Sequence, residues 1–352
     1  MNRTSTISSI FLACILSFVC HAAPSEADWK NFNNATVNSF VIPFYQSLSA
    51  ASQALQQSTQ GLCQSPSQEA LDNSIGDFHK TMDAWQSIQN ITFGPIEFSM
   101  RSHSLQFWPD KKNHIGKHLG VLLASDDKTL LNEDKFQRVS ISVKGLPAIE
   151  RILFKQSALN ELKANKFHCD VLTTISQNVS TISTSLHSEW LKHMRGQFAD
   201  AKQLDGYFED DIDAATALLK TMIEPLEVIR DLKLKRPLGS AFGKEKYKRL
   251  ESWRSQRSLR NIELNILSLQ LMFEGLANIL PPERYHSISH QYTALVDAIK
   301  QINTPLENAV RTAEGYQATL DIYKKIGTLH KELETSVSAL GIHLGFNSRD
   351  GD

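Results

Sequence analysis

Apolar side chains recur every three or four residues along most of the chain. In the first long stretch Val37, Phe40, Phe44 and Leu48 keep this spacing. The period places apolar side chains on one face of a helix, which must then pack against another element. Pro43 falls inside the stretch, so we expect this helix to be kinked or split there.

The same period continues to the end of the chain, and strand patterns are almost absent. It predicts helices at 28–60, from 65 to about 93, 114–124, 134–144, 146–154, 158–165, 168–193, 208–233, 246–280, 285–303 and 305–340. We therefore predict an all-α fold of two up-and-down helical bundles. Each bundle has about four long helices, and the two bundles pack against each other. The expected N-terminal bundle is 24–200, and the C-terminal bundle is 201–352 with a short tail.

Residues 1–23 have the pattern of a secretory signal peptide. Arg3 precedes an apolar run at 10–20, and small residues follow before Pro24. This run is too short to span a bilayer, and we expect cleavage after Ala22 or Ala23. The apolar run continues past Cys14, which argues against a lipid anchor at that cysteine. The sequence thus predicts a bacterial protein of the periplasm or cell envelope, soluble after signal cleavage.

Charge and cysteine content restrict the picture further. The 352 residues carry a formal net charge of −1, so no global field favours nucleic acid, and we expect no nucleic-acid partner. Cleavage of the signal leaves two cysteines, Cys63 and Cys169. In an oxidising compartment they form either one disulfide across a long loop or two free thiols, and the sequence leaves both alternatives open.

Several short segments match one family in order. They are Phe-Gly-Pro at 93–95, Phe-Trp-Pro-Asp at 107–110, Lys-Gly-Leu-Pro-Ala-Ile-Glu at 144–150, Asp-Leu-Lys at 231–233, Pro-Leu-Gly at 237–239 and Glu-Ser-Trp-Arg-Ser at 251–255. On these motifs the chain resembles the imelysin family of exported bacterial helical proteins. The resemblance implies two four-helix bundles packed face to face, with a site at their interface. It also implies either metal-dependent peptidase activity or a link to iron uptake.

The hallmark of that family is G-x-H-x-x-E, and this chain departs from it. Gly145 and Glu150 match, but Pro147 stands where the histidine belongs. A histidine and a glutamate three residues apart on a helix can converge on one cation, whereas proline has no ligating atom. Proline does suit the first turn of a helix, so the sequence predicts a retained helix start and a lost ligand. Glu150 is then either a buried interface carboxylate or a glutamate that only stabilises the helix start.

Two further segments supply candidates for the interface site. In the predicted helix at 246–280, Glu251, Arg254 and Ser258 share one face, and we predict an ion pair between Glu150 and Arg254. The irregular stretch after residue 93 supplies a second set of candidates for lining the site, although an aromatic residue beside a proline also serves as a packing wedge. That set is Arg101, Trp108 and Asp110.

Metal ligands other than the missing histidine are few. His114 and His118 have i, i+4 spacing and can share a helix face, or they are solvated surface histidines. Asp350, Asp352 and the terminal carboxylate either hold a cation or belong to a frayed tail. The sequence names no cofactor, and a divalent metal or iron is left open.

We therefore predict no catalytic residue and a non-catalytic exported protein of the imelysin type. It would serve iron or other metal acquisition by binding a small ligand or an envelope protein partner. The alternatives are a metal-dependent peptidase with different ligands, and a purely structural or interaction protein. Each alternative predicts a different metal content and a different response of activity to a chelator.

Overall fold

The computed structural model describes residues 23–344, and within this range it contains helices and turns but no strand. The all-α prediction is confirmed. Of the predicted signal peptide only its last residue, Ala23, is described. The candidate carboxylates Asp350 and Asp352 also lie outside the described residues. Over 23–344, no helix is both long enough and apolar enough to cross a membrane.

The first helix, α1, is a single long rod built of three segments, Glu26–Thr36, a π-helical turn at Val37–Val41, and Ile42–Gln64. It starts with a capping box, in which the Ser25 hydroxyl accepts from the Asp28 N–H and the Asp28 carboxylate accepts from the Ser25 N–H. Pro43 follows directly after the π-helical turn. The helix therefore continues past the proline instead of splitting, with a wider turn next to the missing N–H.

Twelve further helices follow within residues 23–344, and two of them also contain π-helical turns. They are α2 (Gln68–Gln86), α3 (Arg101–Leu105), α4 (His114–Ser125), α5 (Glu133–Phe136), α6 (Leu146–Leu153), α7 (Ala158–Ala164), α8 (Lys166–Glu189, Trp190–Met194 and Arg195–Ala199), α9 (Asp211–Glu227, Val228–Lys235 and Arg236–Leu238), α10 (Ser258–Glu274), α11 (Pro282–Lys300), α12 (Leu306–Ala309) and α13 (Ala313–Ala339). The predicted helix at 134–144 is replaced by α5 and a 3-10 turn at Ile141–Val143.

In the first half of the chain, the last segment of α1 packs against α2 and α8, and α6 lies against α2 and α8. A disulfide between Cys63 and Cys169 ties α1 to α8, with the two Cα atoms 5.4 Å apart. The structure thus selects the bridged alternative for the two cysteines.

In the second half, α13 packs against α9 and α11, and α10 packs against α11. Helices also pack across the two halves: α2 lies against α10, and the first segment of α1 lies against α9. The predicted domain boundary falls in the irregular connection at 200–210. The division into two four-helix bundles remains a prediction.

One long predicted helix is wrong. Residues 246–280 were expected to be helical throughout, but α10 begins only at Ser258. The segment at 239–257 is irregular apart from a 3-10 turn at Tyr247–Arg249, and it contains left-handed residues at Ser252 and Gln256, with φ 53° and 55°. Gly239, at φ 73°, starts it, and a Cβ there would lie 2.4 Å from the Lys244 carbonyl oxygen. The segment's charge spacing imitates a helix face, but its backbone folds around buried polar side chains instead.

Candidate functional site

A buried lysine pairs with a buried glutamate beneath the Trp108 ring. The Lys233 Nζ lies 2.8 Å from Glu251 Oε2, and the two residues are 3% and 2% exposed. The same Nζ donates to Gln86 Oε1 at 2.9 Å and to Asn265 Oδ1 at 2.6 Å, and it lies 5.9 Å from the centre of the Trp108 ring. All three ammonium protons therefore have an acceptor.

The Glu251 carboxylate is equally well supplied with donors. Its Oε1 accepts from Gln106 Nε2 and its Oε2 from Asn261 Nδ2, each at 2.9 Å. The Gln106 amide oxygen in turn accepts from the Trp85 indole N–H. Burial lowers the pKa of Lys233, while the charge of Glu251 and their hydrogen bond oppose this shift. A buried ion pair is tolerated when its remaining hydrogen-bonding groups are satisfied in this way.

Lys233 lies in a π-helical turn of α9 and on the buried face of that helix. Pro225 has no N–H for the Thr221 carbonyl, and the Asn90 side-chain amide donates to that carbonyl at 3.2 Å instead. The helix then widens at Val228–Lys235. Lys233 follows the buried Leu226 by seven residues and the buried Ile229 by four, so helical spacing also places it on the buried face.

Glu150 is a buried carboxyl group that faces the irregular segment at 239–257. It is 5% exposed, and its Oε1 accepts from the Ser255 backbone N–H at 2.9 Å and the Ser255 hydroxyl at 2.6 Å. Its Oε2 has no hydrogen-bond partner among the described residues. Burial raises the pKa of Glu150, opposed by the Ser255 hydrogen bonds and by the charges of Arg254 and Arg151. Of the two alternatives for Glu150, the structure favours the buried carboxylate.

The first turn of α6 sets the direction of the Glu150 side chain. Pro147 lies in the first turn, as predicted, and Gly145 is the N-cap. A Cβ at Gly145 would lie 2.3 Å from the carbonyl oxygens of both Ser104 and Leu105, so only glycine permits this approach of α6 to α3. The glycine of the motif is thus required by packing, and the close approach sets where Glu150 points.

Pro147, Glu150 and Glu251 line one cavity of about 110 Å³. Its walls come from residues 106–115 and 147–151 in the first half of the chain and from 236 and 248–254 in the second half. Residues far apart in the sequence thus meet at one small, partly open space.

A second cavity of about 230 Å³ lies on the other side of a shared wall. The wall residues are Gln106, Trp108 and Pro109, which line both cavities. Lys233 lines the larger cavity and Glu251 the smaller one. The buried ion pair therefore separates a cavity with many apolar lining residues from a strongly charged one.

Several predicted site residues do lie together. Trp108 and Asp110 line the smaller cavity with Glu150 and Glu251. The Asp110 carboxylate accepts from the His114 N–H at 2.7 Å and from the Ile115 N–H at 3.1 Å, so it caps α4. The same carboxylate lies 3.7 Å from an Arg151 Nη.

The predicted Glu150–Arg254 ion pair does not form. Arg254 lines the same cavity, but its guanidinium carbon lies 4.2 Å from the centre of the Trp253 ring, and Ser255 occupies the hydrogen-bonding position on Glu150. The error follows from the helix wrongly predicted at 246–280: in the turn before α10, Arg254 lies over Trp253 and affects Glu150 through its charge, without a direct ion pair.

Two other predicted site residues lie outside the cavity. Arg101 donates to both carboxylate oxygens of Glu189 in α8, at 2.8 and 2.9 Å, and to the Pro95 carbonyl at 3.0 Å, so it fixes the loop to the helix. Ser258 is buried behind the cavity, where its hydroxyl donates to the Glu251 carbonyl at 2.7 Å and also contacts the Glu307 carboxyl group. It does not share a helix face with Glu251.

The described residues do not supply a donor set for a bare metal ion. The rings of His114 and His118 lie 5.5 Å apart, but His118 Nδ1 is hydrogen-bonded to the Ser140 and Ser142 hydroxyls. Within 23–344, no group of three or more His, Cys, Asp or Glu side chains is placed to hold a metal. At the cavity Glu150 offers one free carboxylate oxygen, which is too few ligands for zinc or a similar ion.

Sequence reasoning missed most of the buried polar network. Lys233 was noticed only as part of a motif, and the other members were not singled out: Gln86, Gln106, Asn261, Asn265 and Ser255. The available signal was a lysine within an otherwise amphipathic helix shortly after a proline. Amides and serines in helices carry no comparable signal, because their burial depends on tertiary contacts.

Comparison with known proteins gives one consistent relationship. The model of the imelysin peptidase family matches residues 41–333. An imelysin-like protein from Psychrobacter arcticum has a similar structure, with a TM-score of 0.75 and 18% identity over 92% of this chain and 98% of that one. A protein of Parabacteroides distasonis described as an iron-regulated protein A precursor gives a TM-score of 0.74 and 17% identity, over 89% and 97% of the chains. No curated protein sequence matches significantly.

Proposed function

The chain belongs to the imelysin family, and from this membership we propose that it is a non-catalytic binding protein of the bacterial cell envelope that serves iron or other metal acquisition. The cavity beside Glu150 and Glu251 is its ligand site. The ligand is a small molecule or part of an envelope protein. One similar structure is described as an iron-regulated precursor, which supports the link to iron and to export.

The observation that carries this proposal is the position of Pro147. It lines the same cavity as Glu150, in the first turn of α6, and it has no atom that can bind a metal. A metallopeptidase needs a metal with an open coordination position that activates water. The side chains that remain at the cavity are engaged elsewhere, because Asp110 caps α4 and Glu251 pairs with Lys233.

Elemental analysis of the purified protein, combined with peptidase assays with and without a chelator, tests this function. We expect no stoichiometric metal and no cleavage that a chelator abolishes. Stoichiometric zinc or iron together with chelator-sensitive cleavage would establish the peptidase alternative and overturn the proposal.

A Pro147→His variant is the matched gain-of-function test. It restores the histidine three residues before Glu150, and metal uptake by this variant would indicate that the rest of the ancestral site persists. The double variant Pro147→His, Glu150→Gln is its control, since it restores the histidine and removes the carboxylate. Equal metal uptake by both variants would mean that the metal binds elsewhere.

A purely structural role is the second candidate, and the Lys233–Glu251 network favours it because that network joins α9 to α2 and α10 through buried hydrogen bonds. The structural role predicts that substitutions lining the cavity change only the free energy of unfolding. Ligand binding predicts that such substitutions change affinity while the fold persists.

A further inference from the structure

The smaller cavity has a strongly cationic wall. Six lysines and arginines line it against three carboxylic side chains. The cations are Lys111, Arg151, Arg236, Lys248, Arg249 and Arg254. Two of the three carboxylates are already neutralised or capped, since Glu251 pairs with Lys233 and Asp110 lies between a helix N-terminus and Arg151. The charge that a ligand meets in this cavity is therefore positive.

Two of these arginines have no directly bonded anion. Arg236 and Arg254 form neither a hydrogen bond nor an ion pair with any residue in 23–344. Arg254 is half-buried and lies over the Trp253 ring, and the Lys248 Nζ is 5.9 Å from the centre of the same ring. Burial lowers the pKa of Arg254, and the charges of the nearby Glu150 and Asp110 oppose this shift. Two cationic side chains, Lys248 and Arg254, thus lie near the Trp253 ring at the cavity, and their N–H groups are available to a ligand.

The size of the cavity limits what can enter it. Its volume of about 110 Å³ lies below the roughly 300–1,000 Å³ typical of pockets for drug-sized ligands. This is room for one or two carboxylate groups, with the remainder of a larger ligand outside among the exposed Lys111, Lys248 and Arg249. The planar guanidinium group binds both oxygens of a carboxylate in a fixed fork.

We propose that this cavity binds a small polycarboxylate anion through Arg254 and Arg236. The assignment rests on the proposed function, and it names the ligand class of that same site. The anion arrives either free or as the chelator of a metal ion. If the anion is the chelator of a metal ion, the protein can take part in metal acquisition although its own side chains do not fit a bare metal ion.

Glu150 distinguishes an anion site from a cation site. Glu150 lines the cavity that the anion would enter, so an ionised Glu150 repels the ligand. A Glu150→Gln variant should therefore bind a polycarboxylate at least as tightly as the wild type does at neutral pH. A cation bound through Glu150 would respond in the opposite direction, with weaker binding in the variant.

Isothermal titration calorimetry on the full mature protein tests the proposal, with citrate as the probe. One arm uses citrate alone, a second uses citrate with equimolar ferric ion, and a third uses inorganic phosphate. We expect citrate to bind, and the affinity to fall about tenfold or more in Arg254→Gln and in Arg236→Gln, as expected for losing one charge-assisted interaction. Comparison of the first two arms identifies the free anion or the chelate as the preferred source.

Arg195→Gln is the matched control, since Arg195 is an exposed arginine of α8 away from the cavity. It should leave citrate affinity unchanged. Circular dichroism on each variant separates lost binding from lost folding. Since Arg236 has no bonded partner, its variant should keep the fold even if the loss of Arg254 disturbs Trp253.

Three results would overturn the assignment. They are no binding of citrate in either arm, tighter binding of phosphate than of citrate, and unchanged citrate affinity in both folded arginine variants. These failures would leave the non-catalytic role standing. Chelator-sensitive peptide cleavage would instead remove the proposed function, and the citrate titrations would then describe an anion site in a peptidase.

Discussion

Lys233 and Glu251 show how one residue pair can be costly alone and favourable together. Taking either charge out of water costs several kcal/mol, and the partner offsets this cost only when the geometry is good. Here the lysine has three acceptors and the glutamate has two amide donors besides the lysine. The pair therefore fixes the packing of α9 against the segment before α10, and its net contribution to stability is small.

Replacing Lys233 with methionine should lower the free energy of unfolding by about 3–5 kcal/mol, because Glu251 is left buried and charged. The double variant Lys233→Met, Glu251→Gln should recover part of that loss, since glutamine is neutral and keeps the amide partners. Urea unfolding of the four proteins in this double-mutant cycle gives the coupling, expected at about 1–3 kcal/mol. Lys244→Met, at an exposed position, should change stability by about 0.5 kcal/mol or less. Additive effects would contradict a direct pair.

Glu150 should make stability fall as the pH rises. Burial raises the pKa of Glu150 in the folded protein above its usual 4.5, so the folded state binds more protons than the unfolded state between the two values. Its contribution is present below 4.5 and is lost as the pH rises through the folded-state pKa. The measurement is urea unfolding of the wild type and Glu150→Gln from pH 4.5 to 8.

The wild type should lose stability relative to Glu150→Gln as the pH increases. Glu307 also has its pKa raised by burial, and its pKa is raised further by the charge of Glu150. A parallel Glu307→Gln series separates the two carboxyl groups. A constant difference between the wild type and Glu150→Gln across this range would contradict a buried, proton-binding Glu150.

At the scale of the element, α6 depends on the absence of a side chain at its N-cap. Gly145→Ala should lower the free energy of unfolding by about 1–3 kcal/mol, because a Cβ would clash with two backbone carbonyl oxygens of α3. Gly76→Ala in α2 is the matched control, since nothing lies within 4 Å of its added Cβ. The free energy of unfolding of that control should rise by about 0.5–1 kcal/mol, because alanine has the higher helix propensity. Thermal unfolding measures both, and equal shifts would contradict the packing requirement.

The periodicity of apolar residues predicted the long helices of the first half well, although the helix with Pro43 continues past the proline and does not split there. It failed at 246–257, where alternating charges and apolar residues imitate a helix. The actual segment contains Ser252 and Gln256 in left-handed conformations. Local spacing does not report its buried hydrogen bonds, since some of the partners lie more than 100 residues away, as Glu150 does from Ser255.

At the scale of the whole molecule, the Cys63–Cys169 disulfide closes a loop of 106 residues. Reduction should lower the free energy of unfolding by about 2–4 kcal/mol, since a long loop is released in the unfolded chain. Guanidinium unfolding with and without a reductant measures the effect. The double variant Cys63→Ser, Cys169→Ser should match the reduced protein and be insensitive to reductant. Equal stability of the oxidised and reduced wild type would contradict a formed bridge.

The cavity as a whole was only partly predictable. Glu150, Trp108, Asp110 and Glu251 were found because they belong to short motifs. Their meeting depends on how the two halves of the chain pack. Arg101 was wrongly included because a charged residue in an irregular loop carries the same sequence signal whether it lines a site or fixes a loop.

The long helix α1 has a consequence for the order in which the chain assembles. Asn33, in its first segment, is fully buried and donates to the Asp211 carbonyl, 178 residues further along. The Phe32 ring packs beside Gly275, still later in the chain. A growing chain therefore makes the apolar start of α1 long before the surface that covers it. Until that surface is made, the side of this segment that it covers stays exposed, as in the partly folded chains that chaperones bind, and truncation before residue 211 would remove that cover.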